Sequence, residues 1–241
     1  MSGNSFLIEN RVPAYETGPD DRMHCHWLMC RLQEAATAHA DSLGFGIADM
    51  AARNSFWVLT SLRIEVEELP LREKKFALET WSRGAKKLRA FRDFCGCDAS
   101  GREIIRASSE WMVLDSATRK PVLVDKALNL KAQDKTVFPD AMKRLRPGTP
   151  EREIRTLKVG YSSLDANGHV NNTEYLRWSL DSLRPLGFDQ NKVKSIRIAF
   201  LSEVFEGNVI KLMDCESRDG GFELLGINET EDRAAFALQI K

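Results

Sequence analysis

The chain has 241 residues and a hydrophobic fraction of 43%, so it can bury a substantial core as one large domain or as two of about half that length. Its formal net charge is +0, from 35 basic and 35 acidic residues, and this balance does not favour binding to nucleic acid or to an anionic membrane. No stretch approaches the ~18 consecutive apolar residues that a membrane span needs.

Cysteine usage and the N-terminal sequence indicate a reducing compartment. The five cysteines are an odd number without a paired framework, and M-S-G-N-S-F-L-I-E lacks the basic and apolar regions of a secretory signal. We therefore expect a cytoplasmic protein. Cys95 with Cys97, and His24 with His26, are weak metal signals that lack further ligands at site spacing, so we interpret them as structural and expect no metal.

The first half begins with a predicted strand over residues 5–15 and continues with one helix. Gly44 is expected to end this helix in a C-cap role, and His39 is interpreted as a histidine at the edge of the core. The apolar stripe of the helix consists of Leu28, Leu32, Ala35, Ala36, His39 and Leu43. Strands rich in β-branched and aromatic residues follow, at 56–69, 75–83, 88–98, 103–115 and 121–124.

The second half repeats this order after a segment of different character. Residues 131–150 carry mixed charge with Pro139, Pro147, Gly148 and Pro150, which is typical of a linker. After it we predict a strand over 153–162, a helix over 172–186, and strands over 194–205, 208–216, 221–228 and 233–241. The predicted domains are 1–130 and 151–241, joined by this linker.

The two halves also share letters, since S-L-R-I-E-V at 61–66 matches S-I-R-I-A-F at 195–200. One helix and several antiparallel strands, occurring twice, predict an α+β protein with two copies of a sheet wrapped around a helix.

The segment D-A-N-G-H-V-N-N-T-E-Y-L-R-W at 165–178 is the most informative part of the chain. Asp165, Asn167 and His169 are spaced by two, so in an extended segment their side chains would project to one side. An alternative is a turn followed by a helix cap, in which Asn171 and Glu174 form a capping box. A cap does not explain an imidazole at His169.

This segment resembles the signature of the acyl-acyl carrier protein thioesterases of plants and bacteria, D-x-N-x-H-V-N-N-x-x-Y-x-x-W. E-A-A-T-A-H-A-D-S-L-G-F-G at 34–46, W-V-L-T-S-L-R-I-E-V-E at 57–67 and Glu203 add to the resemblance, which spans roughly 9–241. It implies a tandem, or double, hot-dog fold. It also implies hydrolysis of fatty acyl-acyl carrier protein, which releases the fatty acid and ends chain elongation without a cofactor.

By position, the resemblance implies that Asp165, Asn167, His169 and Glu203 are catalytic. Asp165 would activate or position water or act as nucleophile, Asn167 would hold the thioester or Asp165, and Glu203 would support His169. In plant members a cysteine follows the glutamate, but this chain has Val204 there, which excludes a thiolate at that site. The repeat aligns Glu203 with Leu69 in the first half, so the acid occurs only in the half with the motif.

The resemblance implies an acidic acyl carrier protein as partner, for which R-G-A-K-K-L-R-A-F-R at 83–92 and K-R-L-R at 143–146 are candidate docking clusters or else solvated loops. Exposed sheet edges make a homodimer an expectation. Small and aromatic side chains of the first half either line an acyl tunnel or pack the core: Ala35, Ala36, Phe56, Trp57, Trp111 and Met112. The alternatives are an acyl-coenzyme A thioesterase of the same fold and a non-catalytic acyl-binding module.

Overall fold

A computed structural model describes residues 5–140, 142–143, 145–146, 148–217 and 220–241 of the chain. It separates into two compact units, Met1–Met142 and Lys143–Lys241. None of the helices among these described residues is long and apolar enough to span a bilayer.

The first unit is a five-stranded antiparallel sheet with one long helix. Its strands are β1 (Ser5–Arg11), β2 (Ser55–Val66), β3 (Lys75–Lys86), β4 (Arg89–Asp98) and β5 (Glu103–Asp115), paired in the order β1-β3-β4-β5-β2. Helix α1 (Cys25–Ser42) buries Leu28, Leu32, Ala35 and Ala36 as predicted. Gly44, with φ +73, follows the end of the helix, in a backbone conformation that glycine adopts without a steric penalty.

The second unit has the same topology. Its strands are β6 (Pro150–Lys158), β7 (Ser195–Phe200), β8 (Val209–Cys215), β9 (Phe222–Asn228) and β10 (Arg233–Ile240), paired in the order β7-β10-β9-β8-β6. Helix α4 (Asn172–Leu183) buries Tyr175, Leu176, Leu180 and Leu183. In each unit the second strand pairs with the fifth, the fifth with the fourth, the fourth with the third and the third with the first. The predicted repeat of an α+β unit is therefore confirmed.

Two local expectations are wrong and one short helix was missed, in each case at a turn-forming or capping residue. The first strand stops at Arg11, since Pro13 leads into a short 3-10 helix at Ala14–Glu16. Residues 121–124 do not form a strand, because only Pro121 pairs, as an isolated bridge with Leu114, and the chain then enters helix α3 (Val124–Ala127). Helix α2 (Ile47–Ala52) was not predicted; Asp49 Oδ2 accepts a hydrogen bond of 3.0 Å from the Gly46 backbone N–H at its start.

Part of the predicted linker packs on the first unit. Trp81 Nε1 donates to the Lys135 carbonyl at 2.8 Å, and the Val137 N–H donates to Asp93 Oδ2 at 3.0 Å. Phe138 is buried, with the Arg63 guanidinium 3.9 Å from its ring centroid. Residues 131–140 are thus fixed by aromatic and polar contacts, and the domain bounds 1–130 and 151–241 stay a prediction. Ala141, Arg144 and Pro147, which also fall in this segment, lie outside the described residues.

Candidate active site

Residues 164–170 form a tight turn closed by an antiparallel bridge between Leu164 and Val170. Asp165 Oδ1 accepts hydrogen bonds from the backbone N–H groups of Asn167 at 2.8 Å and His169 at 3.1 Å. Gly168 has φ +77, which makes the turn possible. The expectation of an extended segment is therefore wrong here, since a left-handed glycine and an Asp-capped turn replace strand geometry.

Helix α4 begins with the side-chain cap that the alternative interpretation predicted. Asn171 Oδ1 accepts a hydrogen bond from the Thr173 N–H at 3.0 Å, and the Asn171 N–H donates to the Ser163 carbonyl at 2.9 Å. Glu174 does not complete the predicted capping box, because its carboxylate instead accepts from Ser163 Oγ at 2.9 Å and pairs with Arg177. Asn171 thus has a structural role: it caps the helix and fixes its start directly after the turn.

His169 and Glu203 meet at the end of this turn. His169 Nε2 lies 3.9 Å from Glu203 Oε1, and the side chains are 18% and 32% exposed, so both reach solvent while remaining partly shielded. The Phe205 ring packs edge-on against the imidazole, with centroids 5.1 Å apart. An imidazole beside a carboxylate is an arrangement that can accept and return a proton, which is the requirement for general acid-base chemistry.

Backbone bridges hold the two residues in register. The Val170 N–H donates to the Val204 carbonyl at 2.9 Å, and His169 pairs with Phe205 as an antiparallel bridge. Glu203, two residues before the bridge partner Phe205, is therefore held near the histidine by backbone pairing between two segments that are distant in sequence.

A buried asparagine pair supports the glutamate segment, and it was not predicted from the sequence. Asn208 Oδ1 accepts from the Phe205 N–H and from Asn228 Nδ2, each at 3.0 Å. Asn208 and Asn228 are both buried. The signal in the sequence was E-G-N at 206–208, a turn pattern whose glycine has φ +80.

Tyr175, in the first turn of α4, is a buried aromatic residue next to the candidate site. Its ring is buried and contacts Phe200 and Phe236 at centroid distances of 5.7 and 5.0 Å. Burial raises the pKa of the Tyr175 phenol, and the charges of Asp165 and Glu203 raise it further. The phenol therefore stays protonated and can act as a hydrogen-bond donor.

Asn167 and Val204 differ in their exposure to solvent. Asn167 is exposed at the tip of the turn, where its backbone N–H donates to Asp165. Val204, at the position where the resemblance placed a cysteine, is 0% exposed. The structure thus places Glu203 beside the His169 imidazole, puts the Asp165 carboxylate on the His169 backbone N–H, and leaves Asn167 exposed.

The first unit contains a counterpart of this turn with different chemistry. Bridges between Thr17 and Met23, and between Arg22 and Leu71, correspond to those of the second unit, and they put Arg22 in the place of His169. Arg22 Nη1 donates to Glu68 Oε1 at 3.1 Å and to the Leu69 carbonyl at 3.0 Å. A permanent cation cannot act as a base at neutral pH, so this counterpart does not reproduce the imidazole-carboxylate pair of the second unit.

A shallow, mostly apolar cavity lies in the first unit between α1 and the sheet. Of the side chains proposed for a tunnel, Trp111 is among its lining residues. Trp57 does not line the cavity, and both tryptophans pack against a core cluster that contains Met50 and Val113. Gln33 Oε1 is buried without a hydrogen-bond partner among the described residues. The lining consists of Met29, Leu32, Gln33, Leu59, Leu62, Phe94, Ser109 and Trp111.

The basic cluster at 83–92 is only partly available to a partner. Lys86 and Lys87 are exposed, but Arg83 lies 3.5 Å from Asp93, Arg89 lies 3.0 Å from Glu110, and Arg92 is turned inward toward His39. In the second cluster, Arg144 lies outside the described residues, and the Lys143 carbonyl accepts from Arg197 at 2.6 Å.

The weak metal signals are explained by local packing. Cys95 Sγ lies 4.0 Å from Cys97 Sγ and 3.2 Å from Glu103 Oε2, and burial raises the pKa of the Cys95 thiol to about 12. The rings of His24 and His26 stack at 5.5 Å. Across the described ranges, no group of three or more His, Cys, Asp or Glu side chains is arranged to hold a metal ion.

Comparison with known families identifies both halves of the chain. The family model described as "Acyl-ACP thioesterase N-terminal domain" matches residues 3–129, and "Acyl-ACP thioesterase C-terminal domain" matches residues 148–241. The second match contains the turn, the helix cap and the His169-Glu203 pair.

Individual relatives agree with these matches. A chloroplastic palmitoyl-acyl carrier protein thioesterase of Gossypium hirsutum is 25% identical over 95% of this chain and 59% of its own length. Oleoyl-acyl carrier protein thioesterase 1 of Arabidopsis thaliana, also chloroplastic, is 26% identical over 91% of this chain and 66% of its own length. The chain therefore spans less than two thirds of the length of these curated relatives.

Solved structures extend the similarity to the fold. An acyl-ACP thioesterase from Bacteroides thetaiotaomicron superposes with a TM-score of 0.87 and 26% identity, covering 98% of this chain and 96% of the other. The 12:0-ACP thioesterase from Umbellularia californica gives a TM-score of 0.82 at 21% identity, covering 100% and 98%. The predicted double hot-dog architecture is confirmed by these similarities.

Proposed function

The chain belongs to the acyl-ACP thioesterase family, and we propose on that premise that it hydrolyses the thioester of fatty acyl-acyl carrier protein, releasing the free fatty acid and ending chain elongation. The observation that carries this proposal is the contact of 3.9 Å between His169 Nε2 and Glu203 Oε1, beside the turn capped by Asp165. These groups lie in the part of the chain that matches the C-terminal domain of the family.

The proposed reaction begins with water attacking the acyl carbonyl. His169 accepts a proton from the water as the carbon-oxygen bond forms, and the imidazolium is stabilised by the Glu203 carboxylate. The resulting tetrahedral oxyanion then expels the thiolate, and the carbon-sulfur bond breaks. His169 returns the proton to sulfur, which leaves the fatty acid and the phosphopantetheine thiol of the carrier.

Two catalytic roles are proposed for Asp165. Its Oδ1 is anchored by two backbone N–H groups, while its second oxygen can face the substrate. That oxygen either positions and activates the attacking water or attacks the carbonyl itself, in which case water hydrolyses the acyl-aspartate formed. Asn167, at the exposed tip of the same turn, is proposed to hold the thioester or Asp165 through its amide. A thiol has no part in the proposal, because Val204 occupies the position of the plant cysteine.

The proposed partner is an acidic acyl carrier protein. Lys86, Lys87 and Arg89 form the exposed part of the basic cluster in the first unit and are suited to attract an acidic surface. Because Arg92 is turned toward His39, it is not included in this docking surface.

The decisive experiment compares matched acyl carrier protein and acyl-coenzyme A substrates over a range of chain lengths. We expect a higher kcat/KM for the carrier-bound substrate at low ionic strength, and we expect the preference to weaken as salt screens the surface charges. Lys86→Met and Lys87→Met together should reduce the preference, whereas Lys192→Met, which removes an exposed cation of the second unit, serves as the matched control.

Each alternative function predicts a different result. Equal kcat/KM for both substrate classes at low salt would contradict the carrier preference and favour an acyl-coenzyme A thioesterase. Binding of acyl chains without turnover of either substrate would favour a non-catalytic module.

We also propose the cytoplasm as the compartment, supported by the free state of all five cysteines. Cell fractionation with immunodetection tests this. A homodimer stays a prediction, which sedimentation equilibrium of the full chain would check.

A further inference from the structure

A buried amide pair formed by Asn208 and Asn228 holds the loop that follows β7. Asn208 Oδ1 accepts from the Phe205 N–H and from Asn228 Nδ2, each at 3.0 Å. Asn228 Oδ1 accepts from the Thr230 N–H at 3.2 Å, so its donor and its acceptor are both used. Asn208 is 9% exposed and Asn228 is 0% exposed. Burying an amide costs free energy unless its hydrogen bonds are made, so a satisfied pair favours one arrangement of the chain around it.

The first unit builds the same loop with Lys74 at the position of Asn208. The Lys74 N–H donates to the Leu71 carbonyl at 3.1 Å, as the Asn208 N–H donates to the Phe205 carbonyl at 3.2 Å. Leu71 and Phe205 are the loop residues that form the corresponding bridges of the two units. Lys74 is exposed, and its ammonium group cannot accept a hydrogen bond. The side-chain acceptor for the Phe205 N–H is therefore a property of the second unit.

Asp98 is the first-unit counterpart of Asn228. Each residue ends the fourth strand of its unit. Each side chain accepts a backbone N–H two residues further along the chain, from Ser100 at 2.9 Å and from Thr230 at 3.2 Å. A carboxylate, however, has no N–H group to donate in the way that Asn228 Nδ2 does. The two units thus share the turn-forming role of this position, and only an amide can also serve as donor to Asn208.

An exposed ion pair ties the loop of the first unit to its turn. Arg72 Nε lies 2.8 Å from Asp21 Oδ1, and the Arg72 N–H donates to the Asp21 carbonyl at 2.8 Å. Both turns have a positive φ at this position, +58 at Asp21 and +77 at Gly168. The equivalents in the second unit are Glu206 and Gly168, and a glycine offers no side chain for an ion pair. The second unit therefore has a buried amide pair where the first has an exposed ion pair.

Phe205 connects the amide pair to the reacting groups. Its N–H is held by Asn208, and its ring lies edge-on against the His169 imidazole, with centroids 5.1 Å apart. Glu203 precedes it by two residues. We propose that the amide pair positions the reacting groups: by holding Phe205, it keeps the His169 imidazole and the Glu203 carboxylate in register. This inference rests on the proposed function, because it assigns to Asn208 and Asn228 an effect on turnover.

The primary test compares kcat and KM of the native chain and of Asn208→Ala, with the acyl-acyl carrier protein that the native chain hydrolyses fastest. Removing the acceptor should lower kcat by about tenfold and leave KM within about twofold, because the loss falls on alignment and not on binding. Asn208→Asp keeps an oxygen acceptor for both donors and should recover most of the loss. An unchanged kcat in folded Asn208→Ala, or no recovery in Asn208→Asp, would overturn the proposal.

A mutant cycle with Glu203 separates positioning from a general loss of stability. If the amide pair acts through the reacting groups, Asn208→Ala should cost less than about twofold in a Glu203→Ala background. The same tenfold loss in both backgrounds would show that the amide pair acts elsewhere, and the proposal would be wrong.

Asp98→Ala is the matched control, because it removes the turn acceptor of the first unit and should leave kcat nearly unchanged. Asn228→Ala removes the equivalent acceptor together with the donor to Asn208, and it should lower kcat as Asn208→Ala does. If Asn208→Ala does not fold, Asn228→Asp replaces it, because the carboxylate can still accept the Thr230 N–H but cannot donate to Asn208. A folded Asn228→Asp with native kcat would contradict the proposal.

A second readout, by nuclear magnetic resonance, does not depend on turnover. The ring protons of His169, identified by their loss in His169→Ala, lie within the ring current of Phe205. Asn208→Ala should shift these signals in the same direction as Phe205→Leu, and unchanged signals in the folded variant would overturn the proposal. A native chain that hydrolyses no thioester would contradict the proposed function, whereas the shift would still show that the amide pair positions the imidazole.

Discussion

His169 and Glu203 approach to 3.9 Å because backbone bridges fix the end of one turn against the chain segment that follows β7. The first unit builds the same turn and bridge with Arg22, whose partner Glu68 lies one position before Leu69, the counterpart of Glu203. One scaffold therefore holds a permanent ion pair in the first unit and a titratable pair in the second. This difference is why the proposed acid-base chemistry is assigned to the second unit.

The first prediction treats His169 and Glu203 as a coupled pair. His169→Ala and Glu203→Ala should each lower kcat by ~10² or more, and the double variant should be little worse than either one, because residues that act as a unit are lost together. Steady-state kinetics with circular dichroism as a folding check measures this. Glu68→Ala is the matched control, since it removes a carboxylate from the first-unit counterpart and should leave kcat nearly unchanged. Strictly additive losses would show that the two residues act independently.

The second prediction separates the structural and chemical roles of Asp165. In Asp165→Asn, the amide oxygen can still accept the backbone N–H groups of Asn167 and His169, so the free energy of unfolding should change by less than about 1 kcal/mol. The variant should nevertheless lose kcat by ~10² or more, because an amide is neither base nor nucleophile. Asp165→Ala should lose stability as well, by about 1 to 2 kcal/mol, because it removes the acceptor. Urea unfolding and kcat are the measurements, and a fully active Asp165→Asn would remove the carboxylate from the mechanism.

The third prediction is that no cysteine is needed. Burial raises the pKa of Cys25 and Cys95 to about 12 and that of Cys215 to about 11, so their thiolates are not populated at neutral pH. Replacing the buried Cys25 and Cys215 with alanine and the other three with serine should keep kcat within about an order of magnitude. The assay is turnover at pH 7 with thermal unfolding as the folding control. Loss of activity in a single folded variant would require a thiol mechanism after all.

The fourth prediction concerns acid stability. His39 has a pKa lowered from 6.5 to about 4, because burial and Arg92 disfavour its charged form. Between these values the unfolded chain binds a proton that the folded chain does not, so stability should fall as pH falls from 6.5 toward 4. The contribution is at most roughly 3 kcal/mol.

Urea unfolding between pH 4.5 and 7.5 tests this, since His39→Gln should flatten the slope of stability against pH. His26→Gln serves as the control, because His26 lies in the same helix but is less buried than His39. This variant should keep the slope of stability against pH. An unchanged slope in His39→Gln would assign the acid sensitivity to other groups.

Much of the fold was determined by the sequence itself, because the signals are local. The alternation of β3, the helical stripe of α1 and the glycine at Gly44 act over a few residues, and the repeated S-I-R-I and S-L-R-I segments predict two units of one topology. The helix cap by Asn171 is also a local signal, because its side chain accepts a hydrogen bond from the backbone only two residues further along the chain. The sequence-based expectations failed at two places: at Pro121, where a strand was predicted but only an isolated bridge forms, and at the start of α2, where a capped helix was not predicted.

The tertiary structure alone decided which polar groups meet. The distance from His169 to Glu203, the support of that segment by Asn208 and Asn228, and the inward turn of Arg92 toward His39 each join residues far apart in the chain. Such contacts depend on strand register and on which face of a helix is buried, and a shift of one residue in a strand moves a side chain to the opposite face. For this reason the motif named the candidate residues of the site, whereas their geometry and the contact of Arg92 with His39 emerged only from packing.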